Sequence, residues 1–145
     1  QLKAENGSRF IGINGGVDNL IQGATHLKKV DGIMLGRAAY QNPSILRQVD
    51  SEIFGLKSSP ISYHEIIDQM ASYSEQHLVQ GGRLNQISRH MIGLFQGIPG
   101  AKGWRQVLST EAVKPGAGPE VLVKAFSQVS IAKIQYYLQN DRYLH

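Results

Sequence analysis

The chain has no cysteine among its 145 residues. That excludes a disulfide scaffold, a thiolate zinc site and a cysteine nucleophile within these residues. Long apolar runs are also missing. Hydrophobic residues make up 41% of the composition, but no run of them is long enough to span a bilayer. No signal-peptide pattern opens the sequence. A membrane is therefore not expected as a partner, and the expected location is cytoplasmic. Position 1 is Gln1, not methionine, which reads as processing or excision from something longer. The phosphate-binding fingerprints GxGxxG and GxxxxGK[ST] do not occur, which disfavours dinucleotide-fold and P-loop readings. His26, His64, His77, His90 and His145 show no paired spacing with carboxylates, so no metal site is expected. No local motif supports a Ser/His/Asp triad or a carboxylate dyad, so no catalytic residue is assigned.

One further absence is local. The chain carries 15 Lys+Arg against 11 Asp+Glu, a formal net charge of +4. This mild excess permits a polyanionic partner without demanding one. From Gln76 to Thr110, however, no acidic residue occurs at all, while Arg83, Arg89, Lys102, Arg105, His77 and His90 do.

The residues present divide into two textures. Residues 9–54 read as α/β. Arg9 to Asn14 is a short, mostly apolar run ending at Gly15-Gly16, which suits a buried parallel strand. Asp18 can cap a following helix, in which Val17, Leu20, Ile21, Ala24 and Leu27 recur at helical spacing. Asp31-Gly32 then turns the chain into a second buried strand, Ile33 to Leu35, closed by Gly36. This is a βαβ unit, so the two strands should be parallel neighbours. A short helix is expected around Pro43–Val49. Residues 56–61 form a plausible linker.

Beyond it the pattern is helical throughout. Ser62 and Glu65 make a capping box at the start of a helix reaching about Val79, with Ile66, Ile67, Met70 and Ala71 on its apolar side. Gly81-Gly82 ends it. Leu84, Ile87, Met91 and Leu94 space a second helix, near Leu84–Phe95, broken by Gly97-Ile98-Pro99-Gly100. A third carries Trp104, Val107 and Leu108, a spacing that places Trp104 in the core. Pro119 suits the first turn of a last helix running to about Leu138. The second half reads as a small helical bundle.

Two strand-to-helix corners are candidate anion sites: Asn14-Gly15-Gly16, and Gly36-Arg37 with Ala38. Glycine lets a backbone approach a ligand closely, and amides at a helix start suit a phosphate. Arg37 can add a charge-assisted bond. In a parallel sheet both corners lie at the carboxyl ends of adjacent strands, so one phosphate fits between them. Either corner alone is equally well a tight turn. In (β/α)₈ barrels such a site often follows strands 7 and 8. A two-stranded unit cannot bury both faces of its strands, so the first half looks like the end of a larger α/β domain.

The second candidate is cationic. Gln86, Arg89, His90 and Gly93 share the polar side of their expected helix, and Lys102, Arg105 and Ser109 that of the next. Acid-free faces of this kind position a nucleic-acid backbone through its phosphates. A solvated helix face has the same appearance.

Three segments resemble the tRNA-dihydrouridine synthases, most closely their A subfamily: Ile13–Gly16, Asp31–Pro43 and Ser88–Ala101, the last followed by Trp104-Arg105. The resemblance runs from about Phe10 to about Val129. It implies the last βαβα part of a (β/α)₈ TIM barrel in residues 1–57, followed by a helical tRNA-binding domain in residues 58–145. It implies that Asn14, Gly15, Gly16, Gly36 and Arg37 hold the phosphate of FMN, and that Lys102 and Arg105 belong to a tRNA-contacting surface. Arg89 and His90, from the cationic reading above, are expected to bind tRNA as well. The implied activity is reduction of the C5–C6 bond of D-loop uridines in tRNA, with NADPH as reductant. The family often has arginine where Lys102 stands, so a planar bidentate contact there is lost while the charge is kept. The family's general acid is a cysteine on an earlier barrel loop. The expectation is therefore a C-terminal part of such an enzyme, inactive alone, with strand edges that invite self-association. The alternative is a free-standing helical RNA-binding module in which the βαβ part is scaffold.

Overall fold

Two short glycine-bounded apolar runs pair side by side in the computed structural model, which describes residues 2–5, 7–57 and 59–130. A one-turn helix, α1 (Leu2–Glu5), precedes them. Strand β1 (Gly12–Asn14) and strand β2 (Gly32–Met34) form a parallel two-stranded sheet with Gly12 opposite Gly32, Ile13 opposite Ile33 and Asn14 opposite Met34. Helix α2 (Leu20–Leu27) connects them, so the expected βαβ unit is present. Its cap is Asn19 and not Asp18. Asn19 has extended backbone, and its side chain accepts from the Gln22 amide at 2.9 Å, as an N-cap should. The Asp18 amide instead donates to Gln22 Oε1.

Helix α2 buries Leu20 and Gly23, and Val17 is buried just ahead of it. At Gly23, α2 packs closely on β2: a Cβ there would stand 2.5 Å from Ile33 Cδ1. Helix α3 (Gly36–Gln41), a 3₁₀ turn over Pro43–Gln48 and helix α4 (Val49–Glu52) complete this part. The proline at the first 3₁₀ position has no amide to satisfy, which suits it to that place.

The expected buried strands are shorter than the apolar runs, and they are not buried. Met34 is 53% exposed, Phe10 78% and Phe54 68%. A sheet of two strands offers too little surface to cover its own apolar residues. Both outer edges lack a strand partner among the described residues.

The chain divides into two compact units, Gln1–Ile61 and Ser62–His145. The second has a conventional core. Helix α5 (Tyr63–Val79) starts at Ser62, whose hydroxyl accepts from the Glu65 amide at 3.1 Å. It buries Tyr63 and Ile67, with Ile66 and Met70 packed alongside. Helix α6 is only Leu84–Ser88. The expected helix over Leu84–Phe95 is not continuous. After Ser88 the chain advances by consecutive turns, with Met91, Leu94, Gln96 and Ile98 each donating to the carbonyl three residues back. Such turns keep a spacing close to that of a helix, so Leu84, Ile87, Met91 and Leu94 are all buried as their pattern requires.

Helix α7 (Ala101–Thr110) begins at Gly100, which sits at φ 93°, a left-handed conformation. A side chain there would also collide with the Gln128 carbonyl. Helix α8 (Glu120–Phe126) starts after Pro119 and ends at Phe126, short of the expected Leu138. Past Phe126 the chain turns, and the Ser130 amide donates to the Pro99 carbonyl. Residues 131–145, where the remainder of that expected helix falls, lie outside the described residues.

Phe95 and Trp104 lie at the centre of this core, both 0% exposed. Their rings meet edge to face at 4.8 Å between centroids, and Phe95 also contacts Tyr63 at 4.9 Å and Phe126 at 5.4 Å. The one polar atom of the indole is satisfied, Trp104 Nε1 donating to the Met91 carbonyl at 3.1 Å. Trp104 is thus a core residue, as its spacing indicates. Replacing Trp104 by alanine should cost about 3–5 kcal/mol of the second unit's stability. Urea unfolding followed by far-UV circular dichroism tests this, and an unchanged midpoint would contradict the packing described.

Candidate functional site: two glycine corners and a cationic face

The parallel register places the two corners together. Asn14 lies opposite Met34, so Gly15-Gly16 and Leu35-Gly36-Arg37 leave the same end of adjacent strands. Gly15 has φ 105° and Gly16 φ 70°, and nothing lies within 4 Å of where a Cβ would stand on either. Other residue types are strained in that conformation, so glycine is needed for this turn. The open space beside it leaves the backbone accessible. Asn14, Gly15, Gly16, Gly36 and Arg37 are all exposed.

The two corners differ in their route to the next helix. Gly36 and Arg37 are the first residues of α3, whose start has no side-chain cap. Gly15-Gly16 are separated from α2 by Val17, Asp18 and Asn19, and Asn19 already satisfies the Gln22 amide. The first corner can therefore offer an anion its loop backbone, and the α2 terminus is committed elsewhere. Arg37 adds the formal positive charge.

Asp31 holds the other end of the strand pair. Its carboxylate accepts from the Ile11 amide at 2.9 Å and from Lys3 Nζ at 2.6 Å, while its own amide donates to the Ile11 carbonyl. The Lys3 hydrogen bond first, then the Ile11 amide, hold its pKa below the usual aspartate value against a smaller opposing effect of desolvation. In the sequence Asp31 reads only as a turn residue. The signal of its larger role, an aspartate one position before the paired strand, could be interpreted only once Ile11 was known to lie opposite.

In the second unit Arg89, His90, Lys102 and Arg105 are all exposed. Arg89 Nε donates to His90 Nε2 at 3.1 Å, which aligns these two side chains. They lie on the turns after α6 and not on a helix face. Lys102 and Arg105 occupy the solvent side of α7, whose other side buries Ala101, Trp104 and Leu108. Among the described residues no ion pair neutralises Arg89, Lys102 or Arg105. Nor, among them, is any helix long and apolar enough to cross a membrane.

Two exposed glycine corners on a parallel βαβ unit and a set of exposed cations on the second unit are the features that suit phosphate-bearing ligands. A family model for dihydrouridine synthases matches residues 1–130, and the chain belongs to that family. Among curated proteins it is similar to the tRNA-dihydrouridine(20/20a) synthase of Shewanella oneidensis, 51% identical over 129 residues, which are 89% of this chain and 38% of that protein. Enzymes of the same name resemble it in Yersinia pestis, at 48% over 130 residues, and in Vibrio cholerae, at 44% over 129 residues. Those matches take in 90% and 89% of this chain, and 38% and 39% of the relatives. The chain thus spans about two-fifths of the length of these curated relatives.

Because the folded-state pKa of Asp31 is depressed, its contribution to strand pairing is complete above the ordinary aspartate range and is lost as pH falls through the lowered value. Acidification should therefore reduce the protection of the Ile11 amide from exchange. In Asp31→Asn that acid step should vanish. Ile11 protection unaffected by acid in the unsubstituted chain would contradict this role.

Proposed function

We propose that this chain is the phosphate-holding and tRNA-contacting part of an FMN-dependent tRNA-dihydrouridine synthase, supplying the last strands of its barrel and a C-terminal helical domain. The division would fall near residue 57, close to the break between Ile61 and Ser62. The observation that carries the reading is the pairing of Asn14 with Met34, which sets two glycine corners side by side within a chain of this family.

The residues suit the phosphate end of FMN. Gly15 and Gly16 have open space beside them, α3 begins uncapped at Gly36, and Arg37 is exposed. Asn14 would complete the set. When bound, the flavin supplies the hydride that reduces the uridine C5–C6 bond, with NADPH recharging it. This chain's own residues orient the cofactor by its phosphate and hold the RNA. Arg89, His90, Lys102 and Arg105 would contact the tRNA backbone, a role supported by their exposure and by the lack of acid from Gln76 to Thr110. D-loop uridines are the proposed target, and cytoplasm the proposed setting. With no cysteine the chain has no candidate for the general acid, so it is inactive by itself. Its strand edges, unpartnered among the described residues, and exposed Phe10 and Met34 favour self-association of the isolated chain.

One observation favours the second reading, a free-standing RNA-binding module. The large core cluster, from Tyr63 to Val129, draws on the second unit alone. Under that reading tRNA binding needs no flavin at all.

The chain should bind tRNA with an affinity that falls steeply as salt rises, and charge reversal at Arg89, Lys102 and Arg105 together should weaken binding at least tenfold at low salt. A filter-binding series measures both. Unchanged affinity in the reversed variant removes the cationic-face assignment, and robust NADPH-dependent tRNA reduction by this chain alone would overturn the division of labour.

A further inference from the structure

A second cationic feature lies apart from the residues assigned above. The turn after α5 and the loop between α7 and α8 form the walls of a groove of about 260 Å³. Arg83 stands on one wall and Lys114 on the other, and among the described residues no other charged residue lines it. Both are exposed, and neither forms an ion pair among the described residues. The acid nearest in sequence, Glu111, is engaged by Lys124 through both carboxylate oxygens, at 2.7 and 2.9 Å. That bond first, then the charges of Lys124 and Lys114, hold its pKa below the usual glutamate value. Gly81 and Gly116 both line it with nothing within 4 Å of a Cβ position, and Leu78, Leu84 and Ala117 supply apolar lining.

We propose that this groove seats a phosphodiester of a bound RNA strand between Arg83 and Lys114. The backbone donors nearby argue for a polymer over a small caged anion. The amides of Gly81 and Gly82 donate to the Leu78 and His77 carbonyls, that of Arg83 to Gln86 Oε1, and that of Ala117 to the Lys114 carbonyl. With those four amides committed, recognition rests chiefly on two long flexible cations beside an open apolar lining. Such contacts position a sugar–phosphate backbone without reading its sequence. Arg83 belongs to the same acid-free stretch of sequence as Arg89 and Arg105. This inference rests on the proposal that the chain contacts tRNA.

The test compares tRNA binding across a salt series for the unsubstituted chain, Arg83→Gln/Lys114→Gln and Arg89→Gln/Lys102→Gln/Arg105→Gln. Neutralising the groove should lower affinity severalfold and flatten the logarithmic salt slope by about one to two. Arg83→Lys keeps the charge and should keep the slope, which separates lost contact from lost folding. If the unsubstituted chain binds and the groove variant matches it in affinity and slope, the groove is not an RNA site, and the broader reading stands. If the unsubstituted chain does not bind tRNA, the broader reading fails first. Amide shifts of Gly81 and Gly116 on titration with inorganic phosphate alone, matching those with tRNA, would assign the groove to a free anion and overturn the proposal.

Discussion

The parallel pairing of Ile13 with Ile33 is the constraint on which the candidate phosphate site depends. Two glycine corners about twenty residues apart have no chemistry in common until the strands before them are in register. A slip by one residue would move Asn14 away from Met34 and turn each side chain to the opposite face. Three features oppose such a slip. Asp31 ties the first turn of the pair to Ile11 and Lys3, Gly23 lets α2 approach β2 at Ile33, and Asn19 sets where α2 begins. None of these residues belongs to the proposed phosphate site. Their role is to decide where that site forms.

The two units solve opposite problems. The second encloses Phe95 and Trp104 within aromatic and aliphatic neighbours, so its surface is free to carry charge. Lys102 and Arg105 face solvent from the same helix that buries Trp104, and their placement follows from that burial. The first unit exposes Phe10, Met34 and Phe54 on and around a sheet too small to cover them. Its glycine corners are accessible for the same reason that its strands are: little surrounds them among the described residues. A family relationship that covers about two-fifths of the relatives' length accords with an α/β part that depends on more sheet for its burial.

Much of this was legible in the sequence because local signals and tertiary needs agreed. The Gly15-Gly16 turn, the Ser62 cap and the Trp104 stripe each follow from a residue type suited to one conformation. The misreadings occurred where one pattern serves two structures. Leu84, Ile87, Met91 and Leu94 repeat at three and four residues, a spacing that successive tight turns satisfy as well as a helix does, and Gly93 and Gly97 within the segment favour the turns. Asp18 and Asn19 are both competent caps, and only the backbone at Asn19 chooses between them. The role of Asp31 and the groove between Arg83 and Lys114 depend on partners distant in sequence, which no local pattern encodes. The proposed site residues rest chiefly on the family resemblance, since a glycine corner alone is indistinguishable from a turn.

The central claim is that Asn14, Gly15, Gly16, Gly36 and Arg37 together receive the phosphate of a flavin mononucleotide. The most direct measurement is a titration of the chain with FMN and, separately, with riboflavin, followed by backbone amide shifts. FMN at millimolar concentration should move the Gly15, Gly16, Gly36 and Arg37 amides as one group, and riboflavin, which lacks the phosphate, should leave them in place. Equal shifts with riboflavin, or FMN shifts that spare these four amides, would contradict the account.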